Sequence, residues 1–329
     1  MTRFLIRRIL LGAFVLWIVT IIVFAIFFWS PSGSDAVAHR LAGKNATEQM
    51  VRLVKHRLGL DDPIFVQYWH FLWGSSRQDG LLKGSLGYSF QNGVSVNSQI
   101  KEAFPITLSL ALGAAVLWLA MGLLTGILSA VRPRTLLDRS FTGLALFFYS
   151  LPTFVLGSLM LLFLFYDLTK HAGLAWFPAT GYVNLTDDPA QWARHLLLPW
   201  FTLAAVTAAA YTRLSRGSML DVLGEDYIRT ARAKGLSERR VVFRHGLRAA
   251  LTPIVTQFGI DLGTLVGGAI ITEKLFGLPG LGFTAVGAIT AQDLPLILGI
   301  TVIAAAAIVT ANIVVDVMYA VLDPRVRLH

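Results

Sequence analysis

The chain has 329 residues, of which only 14% are charged and 55% hydrophobic, with a mean hydropathy of +0.64. An ordinary soluble domain carries about 25% charged residues, so the composition argues against a soluble enzyme or binding module and for an integral membrane protein. The net charge of +9 does not indicate nucleic acid, because the positive residues cluster at the ends of apolar runs, and the absence of cysteine removes disulfides, thiol chemistry and Cys-ligated metals.

A membrane-spanning helix takes about 20 mostly apolar residues. Six stretches qualify, which predicts an all-α membrane protein with six transmembrane helices. The first follows the basic start MTRFLIRRILL. That start resembles a signal peptide, but the apolar run of 21 residues exceeds the roughly 7–15 of a signal core, and no small-x-small cleavage pattern follows. Residues 1–29 are therefore predicted to be a retained anchor helix. Residues 30–102 form a long outer segment. Residues 103–329 form a core with five further spans at about 103–131, 140–166, 195–214, 249–272 and 294–316.

Orientation follows from Lys and Arg in the short loops. Arg3, Arg7, Arg8, Arg132, Arg134, Arg139, Arg325, Arg327 and nine basic residues from Arg213 to Arg248 fall on one side, against Lys170, Arg194 and Lys274 on the other. Both termini are predicted to be cytoplasmic.

In the outer segment, NATEQMVRLVKHRLGL places Met50, Leu53, Val54 and Arg57 at helical spacing, with Leu58 and Leu60 near the end, Asn45 or Thr47 as cap and Gly59 as stop. DDPIFVQYWHFLWG follows, with Pro63 at a first helical position and Phe65, Tyr68, Trp69 and Leu72 on one face. The pattern predicts a small helical cap. GSLGYSFQNGVSVNSQI reads as a turn, a short extended piece and a turn.

Inside the membrane, helices approach through small residues. Gly259, Gly263 and Gly267 repeat every fourth residue in the fifth span, and Gly122, Gly126 and Ala130 do so in the second. Pro152 falls near the middle of the third span and predicts a kink. Pro105, Pro199 and Pro253 read as first-turn prolines that start helices. Asp261 is the one carboxylate well inside a span, and Gln257 and Thr264 share its face. An ionisable residue in a membrane span marks a functional site by default. Two readings stand for it: a lining for a water-accessible pathway, or a buried carboxyl hydrogen-bonded to a neighbouring helix.

The sequence has no HExxH, no GxSxG and no GxxxxGK[ST], and none of its histidines lies in the middle of a span. It offers no catalytic, metal or nucleotide-hydrolysing constellation. The segment DYIRTARAKGLSERRVVFRHGLR, residues 226–248, holds seven Lys/Arg and two acids between two apolar spans. It reads as helix, glycine turn, helix. Tyr227 and Ala231 share a face of the first helix, and Gly235 ends it. Ser237 caps the second, which carries Phe243, Leu247 and Ala250 on one face and Arg240, Arg244 and Arg248 on another. Docking of a cytoplasmic protein explains the turn and the mixed faces better than nucleic acid or a lipid surface alone.

At this point a resemblance becomes visible. EDYIRTARAKGLSERRVVFRHGLRAALTPIV resembles the cytoplasmic coupling loop, here about 215–250, of ABC-importer permeases of the oligopeptide and dipeptide class, B-type. FLIRRILLGAFVLWIVTIIVF, LGLDDPIFVQYWHFLWG, GSLGYSF, LPTFVLG, LLLPWFTLA, ITEKLFGLPGLG and DVMYAVLDPRVRL resemble further parts of that family in the same order, over nearly the whole chain. Where the general permease motif has Glu-Ala-Ala, this chain has Arg229, Thr230 and Ala231, with Gly235 as the motif glycine. Pro253 stands eighteen residues later, farther than in the general motif.

The resemblance implies a permease subunit in a prokaryotic plasma membrane, forming half of a translocation pathway for peptides and performing no covalent chemistry. Asp226, Tyr227, Arg229, Thr230, Ala231, Lys234 and Gly235 would meet an ATPase. Phe276, Gly277, Pro279 and Gly280 would face an outer substrate-binding protein. A second similar permease and two ATPase subunits or domains complete the implied assembly. ATP and Mg belong to those partners, and this chain would bind no cofactor. Relatives of the class also carry nickel, glutathione or other solutes. The competing class is an ATP-independent secondary transporter with Asp261 as coupling carboxylate.

Overall fold

The computed structural model describes residues 2–28, 38–39, 42–43, 46–59, 61–75, 79–173, 176–178, 180–266 and 269–322. The expectations for Asn45, Leu60, Gly267, Arg325 and Arg327 lie outside these residues. Among the described residues the chain is helical nearly throughout. The bridges among these residues are the isolated antiparallel pairs Gly74 with Asp79 and Tyr88 with Ser95.

The elements run α1 (Thr2–Phe28), α2 (Glu48–Leu58), α3 (Ile64–Trp73), α4 (Val96–Val131), α5 (Leu136–Ser150), α6 (Thr153–Met160), a π-helical stretch (Leu161–Asp167) and α7 (Leu168–Ala172). They continue with α8 (Pro189–Leu223), α9 (Asp226–Ala233), α10 (Glu238–Arg240), a second π-helical stretch (Val241–Gly246), α11 (Leu247–Val266), α12 (Ile270–Leu275), α13 (Leu281–Ala291) and α14 (Leu294–Leu322). Among the described residues, six helical stretches are long and apolar enough to cross a membrane: Ile6–Ile26, Val96–Val131, Thr153–His171, Pro189–Leu223, Glu238–Val266 and Leu294–Val317.

The chain divides into two compact units. One comprises residues 106–283 and 310–329, the other residues 2–105 and 284–309.

In the first unit α4 lies directly on α8. A side chain at Gly113 would overlap the Trp200 ring, at Gly122 it would come within 2.4 Å of the Tyr211 Cβ, and at Gly126 within 2.6 Å of the Ser215 Cβ. The three contacts ascend together along both helices, so α4 and α8 run parallel. Two parallel spans require a crossing between them, which α6 and its π-helical continuation are placed to supply. The Trp200 indole N–H donates to the Ser109 carbonyl at 3.0 Å, and Leu110, Ala114, Trp118, Leu196, Ala204 and Tyr211 fill the seam. Gly259 of α11 meets Val315 of α14 just as closely, its missing Cβ 2.8 Å from the valine Cβ, and Gly263 is buried.

The prolines depart from the sequence expectation. At Pro152 the chain breaks rather than kinks: α5 ends at Ser150, Leu151 is extended (φ −89°, ψ 128°), and α6 begins at Thr153. The ring of a proline disfavours the helical conformation of the residue before it, and here that preference wins. Pro105, Pro199 and Pro253 lie inside α4, α8 and α11 rather than starting them. The apolar pattern marks only the part of a helix in the bilayer core. A 36-residue helix is about 54 Å long, well beyond a core of about 30 Å, so α4 begins in the polar stretch that precedes its apolar run.

In the second unit Thr47 caps α2, accepting from the Met50 N–H at 3.4 Å, and Gly59 closes it with φ +68°. Val51 and Val54 face inward against Ala38 and Leu294, while Met50 and Leu53 are exposed. On α3 the predicted shared face divides. The Tyr68 hydroxyl meets the Thr20 hydroxyl at 2.9 Å and its ring packs with Phe71 on Phe24 of α1, whereas Phe65, Trp69 and Trp73 are exposed. The turn at 84–95 is held by Asp293, which is buried and accepts from the Ser89 hydroxyl and from the Phe90 N–H at 3.0 Å.

Candidate functional site

Between α8 and α11 the basic segment forms a compact helical hairpin. Glu225 and Asp226 sit at the start of α9, where negative charge suits the helix dipole. The inner face of α9 is Ile228 and Ala231, buried against Val241 with Val222, Leu223 and Leu236 around them. Tyr227, expected on Ala231's face, points outward and is 46% exposed. Residues 228 and 231 are one turn apart, and the preceding position falls on the neighbouring stripe. Asp226, Arg229, Thr230, Lys234 and Gly235 are also exposed, so all the predicted contact residues except Ala231 lie on the open surface. Gly235 has φ +77°, a backbone form that favours glycine. Arg232 reaches across the turn and holds Glu238 through two hydrogen bonds of 2.7 and 3.2 Å. Ser237 precedes the second helix but makes no side-chain cap.

The second helix differs from its pattern. Its π-helical stretch shifts the faces, so Val241, Val242, Gly246 and Ala250 are buried and Phe243 is 55% exposed. The hairpin is tied to the spans on both sides. Val242 and Ala250 pack with Met219 of α8 and with Ile127 and Ala130 of α4, and the Ser218 hydroxyl donates to the Ala250 carbonyl at 3.0 Å.

One feature nearby was missed by the sequence reading. Asp138 of α5 receives Arg216 Nε at 2.7 Å, Arg216 Nη2 at 2.9 Å and the Arg134 backbone N–H at 2.8 Å. The Arg216 guanidinium and the Arg134 N–H hold its carboxyl at about 2, well below the ordinary value. An Asp one turn past a Thr cap reads as an ordinary first-turn acid, and nothing local marks its partner.

In the middle of the first unit, Asp261 accepts from the Tyr211 hydroxyl at 2.8 Å and from Gln257 Nε2 at 3.0 Å. Tyr211 is fully buried beside Trp118, while Asp261 is half-buried. Thr264 lies on the open side and donates to the Asp261 backbone carbonyl at 2.8 Å rather than to its carboxylate. Of the two sequence readings of Asp261, the hydrogen bond to a neighbouring helix is present, since the residue is anchored on Tyr211 of α8.

The loop 276–280 is organised from within by Glu273, also missed in the sequence. Its fully buried carboxylate accepts from the Thr107 hydroxyl and from the Phe283 N–H, both at 2.7 Å, and Thr107 accepts from the Leu281 N–H. A side chain at Gly280 would lie 2.6 Å from that carboxyl carbon. Burial pushes the carboxyl up from the ordinary glutamate range, against the hydrogen bonds it receives. Phe276 and Gly280 are buried, Gly277 is half-buried with φ +60°, and Pro279 is the exposed tip.

Residues 122–328 match the family described as binding-protein-dependent transport system inner membrane component, and residues 1–111 match that system's N-terminal membrane component. A probable peptide ABC transporter permease protein, y4tP, from Sinorhizobium fredii is 36% identical over 98% of this chain and 99% of its own length. The dipeptide transport system permease protein DppB of Escherichia coli K12 is 35% identical over 99% of both chains. Among solved structures, inward-facing forms of the MetNI methionine ABC transporter match the fold with a TM-score of 0.54 at 18% identity, covering 69% of this chain and 97% of theirs.

Proposed function

The chain belongs to the binding-protein-dependent transport inner membrane component family and is a multi-pass permease subunit of an ABC importer; from that premise we propose that it carries peptides and is driven through the hairpin at 226–248. The observation that carries the reading is the two-sided construction of α9. Its inner face is locked onto the end of α8 and the π-helical stretch that leads into α11, while Asp226, Tyr227, Arg229, Thr230 and Lys234 are exposed on the other side. A short, firmly ended helix fixed to two spans transmits displacement to both, as an ATPase-driven lever requires. ATP and Mg are held by two partner ATPase subunits or domains, and no cofactor resides on this chain. A second permease completes the pathway, with the Asp261 carboxylate facing its polar side. An outer substrate-binding protein delivers cargo, meeting the Pro279 tip. Peptide cargo is supported by the names of the full-length relatives.

Because the chain contains no cysteine, the docking surface is directly testable. A single cysteine at Tyr227 or Thr230 should cross-link to a co-purified ATPase, and one at the buried Ala231 should not. Equal labelling at all three positions would refute the assignment of faces.

A further inference from the structure

The helix α3, IFVQYWHFLW, has its polarity reversed. It contains no Asp, Glu, Lys or Arg, and none of its residues is fully buried. A surface helix in water turns its polar side outward. Here every exposed residue is apolar: Phe65 at 83%, Val66, Trp69 and Trp73. Phe65, Trp69 and Trp73 follow at i, i+4 and i+8, so they form one stripe, with the Trp69 and Trp73 rings 5.7 Å apart. The two polar residues lie away from it. Gln67 donates to the Asp62 carbonyl at 2.8 Å, and the His70 ring is 3.9 Å from the Asp62 carboxylate.

The contact with α1 gives the depth of this helix. The apolar span Ile6–Ile26 has 21 residues, about 31 Å of helix, which matches a hydrocarbon core of about 30 Å. Phe24 and Thr20 precede its end by two and six residues, so they lie about 3 and 9 Å inside the core. Counting from Trp29, where the uncharged run ends, places both deeper still. The Tyr68 hydroxyl meets Thr20 at 2.9 Å, and the Phe24 ring lies 5.3 Å from the Tyr68 ring and 5.8 Å from the Phe71 ring. The middle of α3 is thus tied to the edge of the hydrocarbon core. Past Phe24, α1 continues for another turn to Phe28. The helix α3 therefore lies against the side of α1, and its opposite stripe points away along the bilayer.

We propose that α3 is an interfacial helix seated in the lipid at the end of the first span. Its Phe65, Val66, Trp69 and Trp73 stripe lies among the glycerol groups and upper acyl chains of the surrounding phospholipid. An amphipathic helix at this level buries its apolar face about 5–10 Å into the boundary between headgroups and acyl chains. Tryptophan suits the place because its ring is apolar while its indole N–H can donate to lipid ester and phosphate oxygens. A second protein helix fits the stripe less well. Helices in a bilayer approach through small residues, as α4 approaches α8 through Gly113, Gly122 and Gly126, and this stripe contains none. The lipid contact holds the start of the long segment between the first two spans to the membrane. The proposal rests on the membrane placement of the chain, not on its cargo or on its coupling to an ATPase.

The test is spin labelling of single cysteines, Phe65→Cys, Trp69→Cys and Arg52→Cys, in the full chain with its co-purifying subunits in phosphatidylcholine vesicles. Collision with oxygen, which concentrates in lipid, is compared with collision with nickel ethylenediaminediacetate, which stays in water. Arg52 is the aqueous reference: it lies on α2 in an exposed ion pair with Glu48. At interfacial depth the oxygen-to-nickel ratio at positions 65 and 69 should exceed that at position 52 by about fivefold or more. Ratios equal to that at position 52 overturn the proposal, since they place the stripe in water. Labels at 65 and 69 that neither agent reaches also overturn it, since they mark a face covered by protein. If the labelled variants fail to fold, the wild type carries the test through photolabelling by a phosphatidylcholine with a diazirine in its acyl chain. Peptide mass spectrometry should then find the label within residues 64–73, and its absence there overturns the proposal.

Discussion

Arg216 and Asp138, 78 positions apart in sequence, meet as a bidentate ion pair with bonds of 2.7 and 2.9 Å. The pair ties the start of α5 to α8 two turns before α8 gives way to the exposed lever α9. Arg216→Gln leaves a nearly buried carboxylate without either of its charged donors, and a hydrogen bond to a charged group contributes about 1.5–3 kcal/mol. A fall in melting temperature in detergent is expected, and the charge-neutral double variant Arg216→Gln/Asp138→Asn should regain part of it. The pH dependence has a definite sign. The folded carboxyl is held at about 2 against an ordinary 3.8, so its stabilisation is fully present above about 3.8 and is lost as pH falls through about 2. Asp138→Asn should flatten the stability curve in that window.

Gly126 and Gly143 form a contrasting pair. A Cβ on Gly126 would lie 2.6 Å from the Ser215 Cβ and 2.7 Å from the Thr212 carbonyl, whereas one on Gly143 meets nothing within 4 Å. Overpacking of this kind costs about 1–3 kcal/mol. Gly126→Val should lower the yield of monodisperse protein on size exclusion. Gly143→Ala should be neutral or stabilising by about 0.5–1 kcal/mol, since it removes a mid-helix glycine.

Gly235 tests the lever. A proline there would force φ from +77° to about −65° and remove the N–H that donates to the Arg232 carbonyl. Gly235→Pro should insert normally and leave ATP hydrolysis by the assembled importer measurable while abolishing uptake. Coupled uptake at the wild-type rate would refute the role given to the turn.

Asp261 tests the pathway. Asp261→Asn keeps the size of the side chain but removes one of the two acceptors used by Tyr211 and Gln257. Uptake should fall several-fold with little change in melting temperature. Unchanged uptake with a lower melting temperature would make the residue a structural tie alone.

Much of this architecture is legible in the chain because the bilayer imposes simple rules. Apolar runs reveal the spans, and the positive φ of Gly59 and Gly235 matches the stops expected at those glycines. What escapes is of two kinds. Long-range polar ties such as Asp138 with Arg216, or Glu273 with Thr107, have partners far away in sequence. Changes of helical register leave no local mark either: the π-helical stretch moves Phe243 from the expected inner face to the surface, and the outward turn of Tyr227 follows from packing of Ile228 on Val241. The break at Pro152 shows the remaining difficulty. Proline signals a disturbance, but whether a helix kinks or ends depends on what packs around it.

The central claim is that this chain moves cargo by coupling to ATP hydrolysis on a partner. Its most direct test is uptake of labelled dipeptide into proteoliposomes containing the chain with its co-encoded subunits and binding protein, measured with ATP and with an ion gradient alone. The account predicts uptake that requires ATP and the binding protein and is lost in Gly235→Pro. Uptake driven by the gradient without ATP would contradict it.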